Sequence, residues 1–484
     1  MSILRRFLRD SGIYALSAVM SRGVAIVLVP LYTRFLQPAE YGALDLLTVF
    51  ATVANYLVAL EISQGLARVY SDAGTSERRR AYVSSAMWFA VAAYALFIAV
   101  ALPNSAAIAG LLLDSRGWHH AVQAMILAVG ANGVFFLLQD LLRWQLQPLR
   151  HAAASITYTA VSTAVGIYLV VYASGGVSGI LYGQVAGAAA GIAAAWAGGA
   201  AAEWAVAFGR ERWLEMLKYS APQVISSVAA YFSLYMDRLL IKELMTLDDV
   251  GVYGVGARVA SVVALLMMGF QAGLIPIVFR HYSEPGAPDQ MARVLRYFLA
   301  LALPALLALS AFSSELVWIF TTPRYYGAAP VIPLLATAVL LASMFIFVPG
   351  IFIARRTGLV ALINIGMVAL NLSLSLVLIP RLGTVGAAAA TLTASLAAFL
   401  AYVYCNRLFY PIPFDWGSIL KGVLFAAGIA VAVATIPLAG WHPAAAIALK
   451  SAACIGGSLA VIVTLVGRDE LARALTRATG GTAT

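Results

Sequence analysis

Four basic residues, Arg22, Arg238, Arg258 and Lys450, stand inside stretches whose neighbours are otherwise suited to hydrocarbon. A guanidinium is a planar fork of donors that can hold an oxyanion through two parallel hydrogen bonds. At the centre of a membrane helix its cost on insertion scales is roughly 2.5–3.5 kcal/mol, so it needs an acidic partner or a water-filled gap. Arg22 is the sharpest case, mid-way along the first stretch and too deep to reach either interface. Arg258 sits about two turns inside the eighth stretch, where an anion contact and a structural ion pair are both open. Lys450 is expected to snorkel, its flexible stem carrying the ammonium to the interface. Asp237 and Arg238 adjoin at the end of the seventh stretch. Neighbours on a helix point about 100° apart, so each is expected to have a different partner. A cavity or gate contact and a helix-ending motif both fit the pair.

The carboxylates offer a second chemistry. Glu61, Gln64 and Arg68 recur at helical spacing and make one polar stripe on the second stretch. Glu61 could take up a coupling proton or cation there, or simply neutralise an arginine. Asp140 is the other ion-coupling candidate, with Arg143 three residues on as the competing local partner. Asp45, at the start of the second stretch, is expected to answer the helix dipole. Nothing here makes a catalytic set. No Gly-rich phosphate loop follows a strand-like segment, no Ser/His/Asp or Cys/His group is evident, and the five histidines lack ligand spacing. No enzyme activity, metal or cofactor is expected. Cys405 and Cys454 fall in apolar stretches, where packing is the default role.

The elements that must position these residues follow from composition. Hydrophobic residues are 62% of the chain and charged ones 11%, which leaves no polar surface for a soluble domain. The pattern predicts an all-α integral membrane protein of fourteen spans: 11–34, 44–66, 81–101, 119–142, 152–172, 178–202, 218–241, 250–274, 293–313, 330–353, 357–379, 384–404, 417–438 and 444–467. With the N-terminus in the cytoplasm, 22 of the 31 basic residues lie in inner segments, 5 in outer ones and 4 within spans. That bias sets an orientation with both termini inside, and it accounts for the net charge of +10 without a nucleic-acid partner. Pro30, Pro222, Pro276, Pro304, Pro333 and Pro349 lie in or beside spans and permit kinks.

The chain also repeats itself. Tyr41-Gly42 is followed about 209 residues later by Val250-Gly251, and Ser11 by Ser220. Arg150 with Gly179 is matched by Arg356 with Gly386. Six spans separate the copies, so both enter from the same side and form parallel repeats. The expected organisation is an N-terminal lobe (1–204), a second six-helix lobe (205–410) and a helix pair with a tail (411–484). A central cavity is expected between the lobes.

Three runs carry a resemblance. Pro30-Leu31-Tyr32-Thr33-Arg34-Phe35-Leu36 with Pro38-Ala39-Glu40-Tyr41-Gly42, Asp237-Arg238-Leu239-Leu240-Ile241 with Val250-Gly251-Val252-Tyr253, and Ile379-Pro380-Arg381-Leu382-Gly383 with Thr384-Val385-Gly386 resemble bacterial polysaccharide repeat-unit flippases. Those belong to a superfamily with multidrug antiporters and peptidoglycan lipid-precursor flippases. The resemblance implies alternating access in the bacterial inner membrane. A lipid-linked oligosaccharide would be moved outward for exopolysaccharide, capsule or O-antigen assembly, with a polymerase and export proteins as partners. Arg22, Arg258, Arg238 and Asp237 would face the cargo, Arg22 on the diphosphate or an acidic sugar. The rivals are a cation-coupled multidrug antiporter, which should carry acids in its cavity, and a membrane glycosyltransferase or polymerase, which needs larger outer loops.

Overall fold

The computed structural model describes residues 20, 23–70, 72–435 and 443–467. Among them the regular structure is entirely helical. A backbone surrounded by lipid must satisfy its polar groups within each segment, and helices do so. Among the described residues eleven helices are long and apolar enough to cross a membrane by length and composition, and the protein is a multi-pass membrane protein. The chain forms two compact units that divide between Gly254 and Val255.

The first unit begins with α1 (Val29–Phe35), the end of an apolar helix that is described from Gly23. The second expected span is not continuous: it is split into α2 (Pro38–Ala59) and α3 (Ile62–Tyr70). Next come α4 (Ser76–Ala101), the short α5 (Ser105–Leu113), α6 (His119–Trp144), α7 (Pro148–Val171) and α8 (Gly176–Ala197). α6, α7 and α8 pack side by side, and the Ala- and Gly-rich face of α8 lets backbones approach closely.

Between the repeats the chain is strapped to α4. Ala205 N–H donates to the Ser84 hydroxyl at 2.7 Å, Gly209 N–H to the Ser85 hydroxyl at 3.0 Å, and the Trp88 indole to the Ala205 carbonyl at 3.0 Å. The strap delivers α9 (Arg210–Leu244), a 35-residue helix that packs along α2, α3 and α4. Its polar first turns precede the seventh expected span. α10 (Leu247–Ala260) straddles the division between units.

The second unit continues with α11 (Val262–His281), α12 (Ala287–Ala311), α13 (Ser313–Phe320), α14 (Val331–Ser343) and α15 (Gly350–Ile353). Then α16 (Thr357–Phe409) covers the eleventh and twelfth expected spans in one 53-residue stretch. It turns at Gly383, where φ 60° and ψ −141° exclude a side chain, just after Pro380 removes a helix hydrogen bond. Last come α17 (Trp416–Thr435) and α18 (Pro443–Val466). Both pack on α12, and Ile419, Ala426, Val461 and Leu465 share a core with Phe298, Phe347 and Ile351. Lys450 donates its ammonium to Glu315 Oε1 at 2.5 Å, in the first turn of α13 just past the end of the ninth expected span, and its side chain is only 11% exposed.

Candidate functional site

Two charged centres lie on the split second span, one at each end of α2. At the Pro38 end, α2 meets α10. Each helix opens with a side-chain cap between residues three apart, a reciprocal box at Gln37 and Glu40 and a hydroxyl cap at Thr246 and Asp249. Gln37 N–H donates to Glu40 Oε2 at 2.8 Å, and Asp249 N–H to the Thr246 hydroxyl at 3.3 Å. The copies also touch, with Ala39 N–H donating to Asp248 Oδ1 at 3.1 Å across a separation of 209 residues. The crossing is tight because both facing residues are glycine: a Cβ on Gly42 would strike the Leu247 carbonyl, and one on Gly251 the Pro38 carbonyl.

One turn deeper lies a charge cluster. Arg238 Nε donates to Asp45 Oδ2 at 2.5 Å, and Arg238 Nη1 to Asp237 Oδ1 at 3.2 Å. The Tyr253 hydroxyl donates to Asp237 Oδ2. The guanidinium stacks over Tyr235, 4.7 Å from the ring centroid, with Tyr253 at 5.6 Å. Asp45, Asp237 and Arg238 are 7%, 6% and 8% exposed, so these charges are answered by one another and by tyrosines. Asp237 and Arg238 each have a different partner, Tyr253 and Asp45, and they also pair with each other, because Asp237 Oδ1 folds back to accept from both the backbone N–H and the guanidinium of Arg238. One expectation is corrected. Asp45 answers Arg238 and does not act as a helix-end charge; it lies eight residues past Gln37, beyond the first turn where the dipole acts. Its repeat mate is Gly254, where a Cβ would come 3.1 Å from Asp45 Oδ2.

The other centre is the break itself. Leu60 and Glu61 both have left-handed backbones, φ 50° and 51°, a conformation that costs side-chain-bearing residues on the order of 1–3 kcal/mol each. The turn sets Glu61 on the wall of a cavity of about 230 Å³ that Thr52, Asn55, Tyr56, Tyr94 and Asp140 also line. Tyr94 spans it, donating to Asn55 Oδ1 at 2.6 Å. The Glu61 carboxylate makes no ion pair or hydrogen bond among the described residues, while its backbone carbonyl accepts from Gln64 N–H at 2.8 Å. Asp140 faces the cavity as well, and no ion pair within 4 Å joins it to Arg143 there. A larger groove of about 760 Å³ by the strap sets Arg78, Arg80 and Arg212 against Glu77, Glu211 and Glu215, so it offers no net attraction for an anion.

The structure thus brings Glu61 to Asp140 and Asp237 to Arg238. Arg258 is half-buried on α10 in the second unit, its carbonyl accepting the Ser261 hydroxyl at 2.6 Å. Arg22 lies outside the described residues. Sequence reasoning missed Tyr253, Tyr235, Asn55 and Tyr94. For Asp45 a signal existed, since the repeat offset of 209 sets it against Gly254.

Comparisons with known proteins follow the same lines. A family described as polysaccharide biosynthesis protein matches residues 31–330. A probable low-salt glycan biosynthesis flippase, Agl15 of Haloferax volcanii, is 27% identical over 224 residues, 43% of this chain and 47% of its own. The match therefore spans about half the length of that relative. Among solved structures, the lipid II flippase MurJ in an inward closed conformation has a TM-score of 0.74 at 12% identity, covering 93% of this chain and 98% of its own. A multidrug resistance MATE family transporter in an inward-facing conformation has a TM-score of 0.65 at 12% identity, covering 81% and 98%. At such identities these likenesses establish the fold.

Proposed function

Because the chain belongs to the polysaccharide biosynthesis protein family, we propose that it is a flippase. It carries a polyprenyl-diphosphate-linked oligosaccharide repeat unit across the inner membrane by alternating access, for exopolysaccharide, capsule or O-antigen synthesis. The observation that carries this reading is the polar cavity at the break of the second span, where Glu61 and Asp140 stand without ion pairs among the described residues. Groups kept where they are costly point to something that passes or binds there. Glu61 and Asp140 take the coupling cation. Arg22 and Arg258 face the anionic diphosphate or an acidic sugar, each in its own repeat.

Asp237 and Arg238 have a different part in this scheme. Their charges are spent on Asp45 and Tyr253, so they hold the α2–α10 crossing shut on the outer side and do not touch cargo. Both termini are cytoplasmic, and the two repeats, 1–204 and 205–410, are the lobes that alternate.

Deletion of the gene tests the proposal. Lipid-linked repeat units should accumulate on the cytoplasmic leaflet; unchanged leaflet distribution would end it. In an Arg22→Ala variant export should fall while membrane insertion stays normal. Full export in that variant would remove Arg22 from the path.

A multidrug antiporter is the rival that the acidic cavity favours. Transport of organic cations at normal lipid-linked glycan distribution would decide for it.

A further inference from the structure

We infer that the cavity at the break of the second span, with the tyrosines beside it, is a subsite for one sugar ring of the cargo, an inference that rests on the flippase reading. Three tyrosines form a continuous shelf from the cavity toward the charge cluster. Tyr56, on the cavity wall, meets Tyr231 edge-on with centroids 6.1 Å apart, and Tyr231 meets Tyr235, one helical turn on, at 4.5 Å. All three are half-buried, so part of each ring stays accessible. An aromatic face presents negative potential to the polarised C–H bonds on one side of a pyranose, and apolar surface to the ring itself. Tyr235 already stacks under Arg238, which ends the shelf at that side.

The same cavity supplies hydroxyl acceptors. Glu61 and Asp140 carry carboxylate oxygens without ion-pair partners, and a carboxylate can accept from two vicinal hydroxyls at once. Neighbouring polar groups are committed. Asn55 Oδ1 takes the Tyr94 hydroxyl at 2.6 Å, and the Thr52 hydroxyl donates to the Thr48 carbonyl at 3.0 Å. The acceptors left for a ligand are thus the Glu61 carboxylate and the part of the Asp140 carboxyl that Ser63 does not take. Size agrees: a single water needs only roughly 10–15 Å³, so about 230 Å³ is far more than a dehydrated cation requires. A ring with several hydroxyls uses both the room and the two kinds of surface; a bare cation would use only the acids. Ring and coupling cation then share Glu61, which makes their occupancies dependent on one another.

Binding by the purified full chain in lipid nanodiscs tests this, with two probes: a bare polyprenyl diphosphate and one bearing a single hexosamine. Tyr56→Leu and Tyr231→Leu should each weaken binding of the glycosylated probe about fivefold to tenfold, the loss of one aromatic contact, and leave the bare carrier within about twofold. Tyr56→Phe and Tyr231→Phe keep the ring face and should bind both probes as the wild type does. Equal losses on the two probes, no loss in the leucine variants, or phenylalanine variants that fall as far as leucine ones would overturn the subsite. A readout on the wild type avoids folding effects: a photoreactive diazirine on the sugar should label residues 52–63, 90–94 or 231–235, and labelling confined elsewhere would refute it. If the wild type bound neither probe, the flippase reading itself would fall.

Discussion

The two ends of α2 treat charge in opposite ways. At the Pro38 end three buried charged groups answer one another and Tyr253 within a few ångströms, below a helix crossing with no room for a methyl group. At the Ala59 end the helix breaks through two left-handed residues, and the carboxylate turned out by the break has no partner among the described residues. One end spends its charges on holding helices together. The other keeps a charge in reserve beside open space. A span built this way can stay fixed at one end while it answers a ligand at the other.

Removing the cation from the Pro38 end should have the largest effect on stability. Arg238→Ala leaves Asp45 and Asp237 buried without their common partner, with an expected loss of about 3–5 kcal/mol in thermal unfolding of the detergent-solubilised protein. Adding Asp45→Ala to it should recover part of that loss, since the double variant no longer strands that acid; strictly additive losses would mean the pair is not coupled. Tyr253→Phe deletes one hydrogen bond to a charged acceptor and should cost about 1.5–3 kcal/mol. Gly251→Ala inserts a methyl group into the crossing, where it meets the Pro38 carbonyl, and about 1–3 kcal/mol of overpacking is expected from the same melts.

At the other end the effects divide. Glu61→Gln breaks no pair, so the melting curve should move by no more than about 0.5 kcal/mol. Translocation of the glycosylated lipid in proteoliposomes should nevertheless fall by on the order of tenfold or more, because the variant keeps the shape and loses the charge. A large stability loss in Glu61→Gln with normal translocation would reverse the contrast drawn between the two ends.

Much of the helical frame was legible in the sequence because lipid imposes a length and a polarity on every crossing segment. The repeat offset was legible too, and it recurs as a physical contact between Ala39 and Asp248. The break at Leu60–Glu61 was not, since neither residue is a glycine or proline and apolar periodicity runs on through them. Asp237 and Arg238 were noticed, yet their partners were missed. Adjacency on a helix says where two side chains start, while a flexible arginine and a folded-back aspartate settle where they end. For a related reason, sequence places Lys450 in α18 but cannot place Glu315 of α13 beside it.

The order of apolar and charged residues therefore determined by itself that this chain lives in a bilayer as a series of helices, because hydrocarbon penalises each residue individually. Which charges became structural and which stayed available was decided only by tertiary packing. Whether a carboxylate is neutralised depends on what lies within about 4 Å of it, and for Asp45 that neighbour comes from 193 residues away.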